Sequence, residues 1–264
     1  MKFRHPLLVS GIVLALAGCA QTPADHTSTA AVEQAPNIIY FIGDGMGFEY
    51  ISAYRYAMSE LGSDTLVATP FDDMLVGAAT TYPDDDTWVT DSAAGATALA
   101  TGHKSYNGAI GVDAEQHPQQ TLMEKARELG WHTGAVATSQ VNHATPASFF
   151  THHPSRQMYN EIADSYATTK FGDKWSFDVL LGGGTRYFTR DDKNWLPELR
   201  SQGMNVVTDM TELGAAQAPV LGLFAPVGLP FALDDKPYLA ELTTQALRVL
   251  TTEQAASGKP FALM

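Results

Sequence analysis

The feature that most constrains the fold is an alternation between short apolar runs and longer stretches with helical periodicity. The first run, NIIYFI at Asn37–Ile42, is almost continuously apolar and is closed by Gly43-Asp44-Gly45. Such a run is typical of a buried parallel strand. Similar runs follow at Gly134–Thr138 and Asp178–Leu181. The chain is therefore expected to form an α/β fold, with a central, mostly parallel sheet flanked by helices.

The helical stretches between these runs carry their own signals. Thr121–Glu124 has the pattern of a capping box, Leu122, Ala126 and Leu129 fall on one helical face, and Gly130 is expected to end that helix. A second helix is predicted to be capped by Ser155, and a third to have Pro237 in its first turn and to end near Gly258. Another helix, earlier in the chain, is expected to carry Ile51, Tyr54 and Met58. The helix capped by Ser155 is expected to carry Tyr159, Ile162 and Tyr166, and the helix with Pro237 in its first turn to carry the inward-facing residues Leu239, Leu242, Ala246 and Leu250.

Residues 1–19 predict a bacterial export signal. Lys2 and Arg4 precede an apolar run, Leu7–Ala17, that is too short for a comfortable membrane span. The run ends in Leu-Ala-Gly-Cys19, which resembles the lipobox of bacterial lipoproteins. We therefore expect export to the periplasmic side of a bacterial membrane and lipid anchoring at Cys19. An ordinary signal peptide that happens to end near a cysteine is the alternative.

The rest of the chain divides into a tether and a folded part. Residues 20–36 are rich in Ala, Thr, Ser, Pro and Gln without hydrophobic periodicity, which predicts a flexible tether. Residues 37–264 are expected to fold. A net charge of −13 leaves no basic patch to neutralise nucleic-acid phosphates, so no nucleic-acid partner is expected.

The last six residues, Lys259–Met264, read as the opening of a strand. The sequence therefore predicts a chain truncated within a central strand. A strand left open there would expose an apolar sheet edge, which proteins normally protect.

Two polar residues stand where chemistry is expected. Asp44 follows the first strand between glycines, in the position of a metal ligand, although it could simply shape a turn. Ser92 lies at a helix start made of small residues, where the amides and the helix dipole would stabilise an alkoxide or a phosphate esterified to it. Capping by Asp91 or Ser92 is the plainer alternative. Because no Gly-x-Ser-x-Gly elbow surrounds Ser92, a metal-activated serine is favoured over a hydrolase triad.

Three more residues complete the candidate site. His143 and Thr145 lie two residues apart on an expected extended segment, where both could face one ion or simply close a turn before Pro146. Arg156 could offer its planar fork to two phosphate oxygens or form a surface ion pair. The neighbouring pair His152 and His153 is expected to face solvent in a loop, and is not assigned as ligands.

Together these residues and their flanking segments resemble the alkaline phosphatase family. The segments that carry the resemblance are NIIYFIGDGMG, VTDSAAGATALATGHKSYNGAIGVD, VNHATPAS, the SR before a tyrosine-containing helix, LGGGTRYF and LLGLF. The resemblance runs from about Asn37 to Met264. It implies hydrolysis of phosphate monoesters through a phosphoserine, and a homodimer.

The resemblance also implies two zinc ions and one magnesium ion. Asp44 would bridge one zinc and the magnesium, Ser92 would attack phosphorus beside zinc, Thr145 would bind magnesium, and Arg156 would clamp phosphate. His143 would hold a water on magnesium, with a direct bond left open.

The family's remaining ligands, an aspartate, several histidines and a glutamate, follow the strand that begins at Phe261. We therefore expect this chain alone to be inactive. The alternatives are a membrane-tethered pseudoenzyme that binds phosphate or metal, and a phosphodiesterase or sulfatase of the same superfamily.

Overall fold

The computed structural model describes residues 35–264, which form an α/β fold. The strands are β1 (Ile38–Ile39), β2 (His132–Gln140), β3 (Lys170–Phe171), β4 (Lys174–Trp175), β5 (Val179–Gly183), β6 (Asn205–Val207), β7 (Val220–Leu223) and β8 (Phe261–Leu263). The helices are α1 (Phe48–Met58), α2 (Ser92–Thr101), α3 (Leu122–Glu128), α4 (Ala144–Ala147), α5 (Tyr159–Thr168), α6 (Thr185–Phe188), α7 (Trp195–Ser201), α8 (Met210–Leu213) and α9 (Tyr238–Ser257).

Six strands make the central sheet in the order β1-β8-β2-β5-β7-β6, and every pair in it is parallel. The expected α/β architecture with a parallel sheet is therefore confirmed. The strands β3 and β4 form a separate antiparallel pair. The export signal, Cys19 and nearly all of the predicted tether lie outside the described residues. None of the helices within residues 35–264 combines the length and apolar character that a membrane crossing needs.

The core lies on both faces of the sheet, because alternate strand residues point to opposite sides. Ala135, Leu180 and Leu221 belong to a cluster that includes residues of α2, α3, α5 and α7. Their neighbours Val136 and Leu181 belong to a second cluster under α9. The sheet is thus the middle layer of three, which leaves its strand ends free to carry a site.

The strand predicted at the end of the chain is β8, and it lies inside the sheet. Ala262 pairs with Ile38 on one side and Thr133 on the other. Residues Phe261–Leu263 are buried. The position in a central strand is confirmed, but the expectation of an exposed apolar edge at these residues is wrong because β1 and β2 cover both sides of β8.

Several element boundaries differ from those expected. The strand expected at Asn37–Ile42 is only the two-residue β1, and β5 continues through two of the three glycines that were expected to stop a strand. A side chain at Gly183 would collide with the carbonyl oxygen of Val227, so a glycine is required there. The strand ends at Gly183, and the next residue, Gly184, has a φ of +111°, which favours glycine.

Two helices bury a face shifted from the expected one. The capping box of α3 is present, with Thr121 and Glu124 each bonding the other's backbone N–H. However, Leu129 is 54% exposed because it lies past the end of α3, and Met123 is buried instead.

Leu239 at the start of α9 is likewise 46% exposed, and Val249 joins the inward residues. The predicted end of α9 at Gly258 is confirmed.

Candidate active site at the carboxyl ends of the strands

Ser92 is the first residue of α2, and its neighbour Asp91 caps that helix. The Asp91 Oδ1 atom accepts a hydrogen bond of 2.9 Å from the backbone N–H of Ala94. Of the two caps left open by the sequence, Asp91 is the one found. The Ser92 hydroxyl is therefore not used for capping, and it remains at the positive end of the helix dipole.

Arg156 joins three side chains of the site. Its Nη1 atom donates to Asp91 Oδ2 and to Ser92 Oγ, both at 3.0 Å, and its Nη2 atom donates to His143 Nε2 at 3.0 Å. The side chain is 18% exposed and forms an ion pair with Asp91. The ion pair that the sequence offered as an alternative thus exists, but it lies within the site and fixes the direction of the guanidinium fork.

The expected helix start at Ser155 is wrong. Helix α5 begins at Tyr159, after Met158, and Ser155 Oγ accepts a hydrogen bond from the Gln157 N–H in the preceding turn. The backbone N–H of Arg156 bonds to the carbonyl of Gly108 at 2.7 Å. Because that N–H is bonded outside the helix, Arg156 is positioned by a neighbouring turn rather than by α5.

Asp44 and Thr145 meet across 101 positions of sequence. The Thr145 hydroxyl donates to Asp44 Oδ2 at 3.0 Å. Thr145 belongs to the single-turn helix α4, which begins after His143. The prediction that His143 and Thr145 lie on an extended segment is therefore wrong. The helix can form despite Pro146, because a proline is tolerated in the first turn of a helix. His143 and Thr145 do not share a partner: the first bonds Arg156, and the second bonds Asp44.

His143 is held as a neutral imidazole. Burial and the adjacent Arg156 guanidinium lower the pKa of His143, and the carboxylates of Asp44 and Asp91 oppose this shift. Its Nε2 atom accepts the hydrogen bond from Arg156, so the ring proton lies on Nδ1. Nδ1 is buried and has no hydrogen-bond partner within residues 35–264. A water beside it would satisfy this group.

An open cavity of about 290 Å³ lies between the Asp44 loop and the start of α2, and Arg156 and His143 are not among the residues that line it. Asp44, Ser92 and Thr145 line it, and the small residues Gly95 and Ala96 of α2 leave room beside Ser92. The space is thus bounded by a hydroxyl on one side and by a carboxylate with its threonine partner on another.

The donor set fits magnesium in part and does not fit zinc. Asp44 and Thr145 offer two oxygen donors, which suits a cation that usually keeps several waters. Catalytic zinc takes three protein ligands, whereas only Asp44 and Ser92 are candidates here. Within residues 35–264, no three His, Cys, Asp or Glu side chains come together as a metal site.

The sequence interpretation was wrong for the histidine pair and overlooked a polar contact to Asp91. His152 and His153 do not face solvent: His152 contacts the Gly111 carbonyl and Glu124, and His153 contacts Ser165.

The overlooked contact is Asn107, whose Oδ1 accepts a hydrogen bond from the Asp91 N–H. Asn107 lies within a segment that carries the family resemblance, but no spacing rule marks it.

Comparisons with known proteins agree with this arrangement. The alkaline phosphatase family model matches residues 35–263. Alkaline phosphatase 3 of Bacillus subtilis (strain 168) is 44% identical over 223 residues, which cover 84% of this chain and 48% of that protein.

Two solved structures are also similar. The cold-active alkaline phosphatase of the psychrophile Shewanella sp. has a TM-score of 0.76 and 43% identity, covering 86% of this chain and 55% of that one. A histidine-to-glutamate variant of the alkaline phosphatase from the Antarctic bacterium TAB5, with Mg bound in its M3 site, has a TM-score of 0.73 and 31% identity, covering 88% and 64%.

This chain spans about half the length of the curated relatives it matches. Because the family model covers almost all of the described residues and the fold agrees with solved members, the chain belongs to the alkaline phosphatase family.

Proposed function

We propose that the whole protein containing this chain hydrolyses phosphate monoesters through a phosphoserine at Ser92. The observation that carries the proposal is the pair of contacts made by Arg156, which donates to both Asp91 Oδ2 and Ser92 Oγ. The Arg156 guanidinium is held beside the Ser92 hydroxyl, which does not cap the helix. A group that can bind two phosphate oxygens therefore lies next to a nucleophile.

The chain's own residues would bind the phosphate and supply the nucleophile. Arg156 would keep its ion pair with Asp91 and offer N–H groups of its fork to two unsubstituted phosphate oxygens, in place of its contacts with Ser92 and His143. Ser92 Oγ would give up its proton to a group outside residues 35–264 and form a bond to phosphorus as the bond to the alcohol oxygen breaks. The alcohol would take a proton from solvent. A water would hydrolyse the phosphoserine, release inorganic phosphate and restore the Ser92 hydroxyl. The N-terminus of α2 favours the negative charge that develops on Ser92.

The Ser92 proton has no acceptor in the described part of the chain. The hydrogen-bond partner of Ser92 Oγ is Arg156, and a guanidinium only donates. A serine hydroxyl needs a base or a metal to become a nucleophile at neutral pH. We therefore propose that the whole protein is metal-dependent, with two zinc ions and one magnesium ion, as the family resemblance implies.

Residues 35–264 would supply only part of these sites. Asp44 and Thr145 would hold magnesium, and His143 would act through a bound water, as the family resemblance implies. Asp44 and Ser92 are the chain's zinc donors, and we propose that the missing ligands come from other parts of a whole protein as long as its relatives.

The test compares the whole protein, its Ser92→Ala variant and residues 20–264 with an aryl phosphate in the presence of Zn²⁺ and Mg²⁺. The whole protein is expected to turn over, and its Ser92→Ala variant is expected to lose at least about 10³-fold of that activity. Residues 20–264 alone are expected to be inactive. Rapid turnover by residues 20–264, lost on Ser92→Ala, would contradict the shared metal site. Absence of turnover by the whole protein would favour the binding-only alternative.

The same assay separates the related chemistries. A phosphate monoester dianion carries a second negative charge, which a phosphodiester and a sulfate monoester both lack, so it should bind more strongly beside the Arg156 guanidinium. We therefore expect the aryl phosphate to be preferred over a bis-aryl phosphate and an aryl sulfate. A preference for either of the latter would assign the protein to the phosphodiesterase or sulfatase class.

We also propose export, lipid anchoring at Cys19 and a homodimer for the whole protein, on the sequence signals and the resemblance. Labelling with a radioactive fatty acid tests the anchor, with Cys19→Ser expected to lose the label. Retention of the label in that variant would contradict it. Sedimentation of the whole protein gives the oligomeric state, and a monomer would contradict the dimer.

A further inference from the structure

The turn Tyr106–Gly108 lies between the two polypeptide segments that bring Ser92 and Arg156 together. One segment is residues 85–91, which leads into α2, and the other is residues 154–156, which carries the arginine. The turn is closed by a hydrogen bond from the Ala109 N–H to the Tyr106 carbonyl at 3.1 Å. Its three residues contact both segments.

Asn107 is bonded to four alternate residues of the segment 85–91. Its backbone N–H donates to Asp85 Oδ2 at 2.7 Å, and its Nδ2 donates to Thr87 Oγ1 and to the Val89 carbonyl, both at 2.9 Å. Its Oδ1 accepts from the Asp91 N–H at 2.6 Å. Both amide hydrogens and the amide oxygen are therefore engaged. One residue thus holds a segment that has no helix or strand of its own.

Packing does not hold that segment. Trp88 is 87% exposed and Val89 is 79% exposed. Between Met58 and Ser92 the chain forms no regular helix or strand. The position of Asp91, and with it the start of α2, therefore depends strongly on the hydrogen bonds to Asn107.

The other two residues of the turn hold the arginine segment. The Gly108 carbonyl accepts from the Arg156 N–H at 2.7 Å, and the Tyr106 hydroxyl donates to the Pro154 carbonyl at 2.7 Å. Gly108 has a φ of +95°, so a side chain at this position would strain the turn. Adjacent residues therefore fix Asp91 on one side and the backbone of Arg156 on the other.

We propose that Asn107 is a positioning residue that sets the Ser92 hydroxyl relative to the Arg156 guanidinium. This inference rests on the proposed phosphatase function. Asn107 does not touch the reacting atoms: it acts through Asp91, which both caps α2 and accepts from Arg156 Nη1. Small displacements of such groups have large kinetic effects, since about 1 Å of misplacement can cost on the order of 10²-fold in rate.

The experiment uses the whole protein loaded with Zn²⁺ and Mg²⁺ and an aryl phosphate. Asn107→Ala removes the three side-chain hydrogen bonds and is expected to lower kcat by about 10- to 100-fold, with KM changed less than about threefold. The amplitude of the initial burst counts the active sites, so kcat is expressed per working site. Asn107→Asp keeps an oxygen for the Asp91 N–H and is expected to recover part of the lost kcat.

A second readout does not depend on turnover. Hydrogen exchange of the Asp91 amide is expected to become at least about 10-fold faster in Asn107→Ala, because the N–H loses its acceptor. In Asn107→Asp the amide is expected to stay protected. The matched control is Asn205→Ala on strand β6. It removes the hydrogen bond from the Asn205 side chain to the Gln217 carbonyl and is expected to leave kcat unchanged.

The outcomes separate the two proposals. If the unmodified protein lacks turnover that depends on Ser92, the proposed function fails. If it turns over, and Asn107→Ala keeps its kcat per site or exchanges Asp91 at the original rate, the positioning role is overturned. A fall in burst amplitude with unchanged kcat per site would also overturn it, because a purely structural role removes active molecules rather than slowing them.

Discussion

The two sides of the cavity differ in how firmly they are built. On the nucleophile side, Asp91 is bonded to Ala94, Asn107 and Arg156, and Arg156 is bonded in turn to Ser92 and His143. On the metal side, the Asp44 carboxylate accepts one hydrogen bond, from Thr145, within the described part of the chain. The Ser92–Arg156 side is thus preorganised by residues 35–264, whereas the Asp44 side is not.

The surroundings of the two sides differ in the same way. Helix α2 buries five of its ten residues. Helix α1, which follows the Asp44 loop, has no buried residue among those described, and Phe48, Tyr50 and Tyr56 are each at least 65% exposed. A carboxylate on such a weakly packed loop is expected to gain its order from a bound cation, whereas Ser92 and Arg156 already have theirs from hydrogen bonds.

The largest effect is expected on the metal side. Asp44→Asn removes the carboxylate charge, and the loss in turnover of the whole protein at fixed Zn²⁺ and Mg²⁺ is expected to be at least about 10²-fold, because even outer-shell changes cost 10–100-fold. Titration with Mg²⁺ is expected to show weakened binding. Asp73→Asn is the matched control in the same exposed region, and it is expected to bind Mg²⁺ normally. Equal Mg²⁺ affinity in Asp44→Asn and the unmodified protein would refute the assignment.

A smaller effect is expected on the nucleophile side. Arg156→Lys keeps the charge and loses the planar fork, so kcat/KM is expected to fall about 30-fold, equivalent to about 2 kcal/mol. Steady-state kinetics with the aryl phosphate measures it. The control is Arg186→Lys, at an exposed residue of helix α6. A fall of less than about threefold in Arg156→Lys would mean that the fork does not hold phosphate.

The smallest effect is a pH dependence of stability away from the cavity. Burial alone would lower the pKa of His152, but hydrogen bonds with Glu124 and the Gly111 carbonyl outweigh it and raise that pKa. The resulting stabilisation is fully present below the unfolded pKa of about 6.5 and is lost as pH rises through the folded pKa. Glu124, whose pKa is lowered, gives stabilisation that is lost in acid.

His152→Gln is therefore expected to lower the free energy of unfolding by about 1 kcal/mol near pH 6, and by less near pH 8. Urea denaturation at the two pH values measures the difference. His117→Gln, at a side chain that is 75% exposed, is the control and is expected to have little effect at either pH. A His152→Gln deficit that grows with pH would show that the sign is wrong.

Much of the fold follows from local sequence signals. The apolar runs, the capping box at Thr121 and the glycine at position 258 each determine structure within a few residues, so the strands β2, β5 and β8 and the ends of α3 and α9 could be predicted. The start of α5 could not, because Ser155 and Arg156 use their polar groups in a turn held by Gly108, which is 48 positions from Arg156.

The site shows the same limit. Each of Asp44, Ser92, His143, Thr145 and Arg156 could be singled out by its residue type and by the segments that resemble the family. Their pairing could not: Thr145 bonds Asp44, and Arg156 bonds Ser92, only because the parallel sheet and the turn at Asn107 bring distant segments together. Asn107 has no chemical signature of its own, since its role lies entirely in the bonds it makes.

The most direct test of the account is to identify the residue that receives the phosphoryl group. The whole protein, loaded with Zn²⁺ and Mg²⁺, is mixed with a ³²P-labelled aryl phosphate, quenched in acid within milliseconds and digested for peptide mapping. We predict label on the peptide containing Ser92, and no label in Ser92→Ala. Label on another residue, or turnover that proceeds without any labelled serine, would contradict the assignment of Ser92 as the nucleophile.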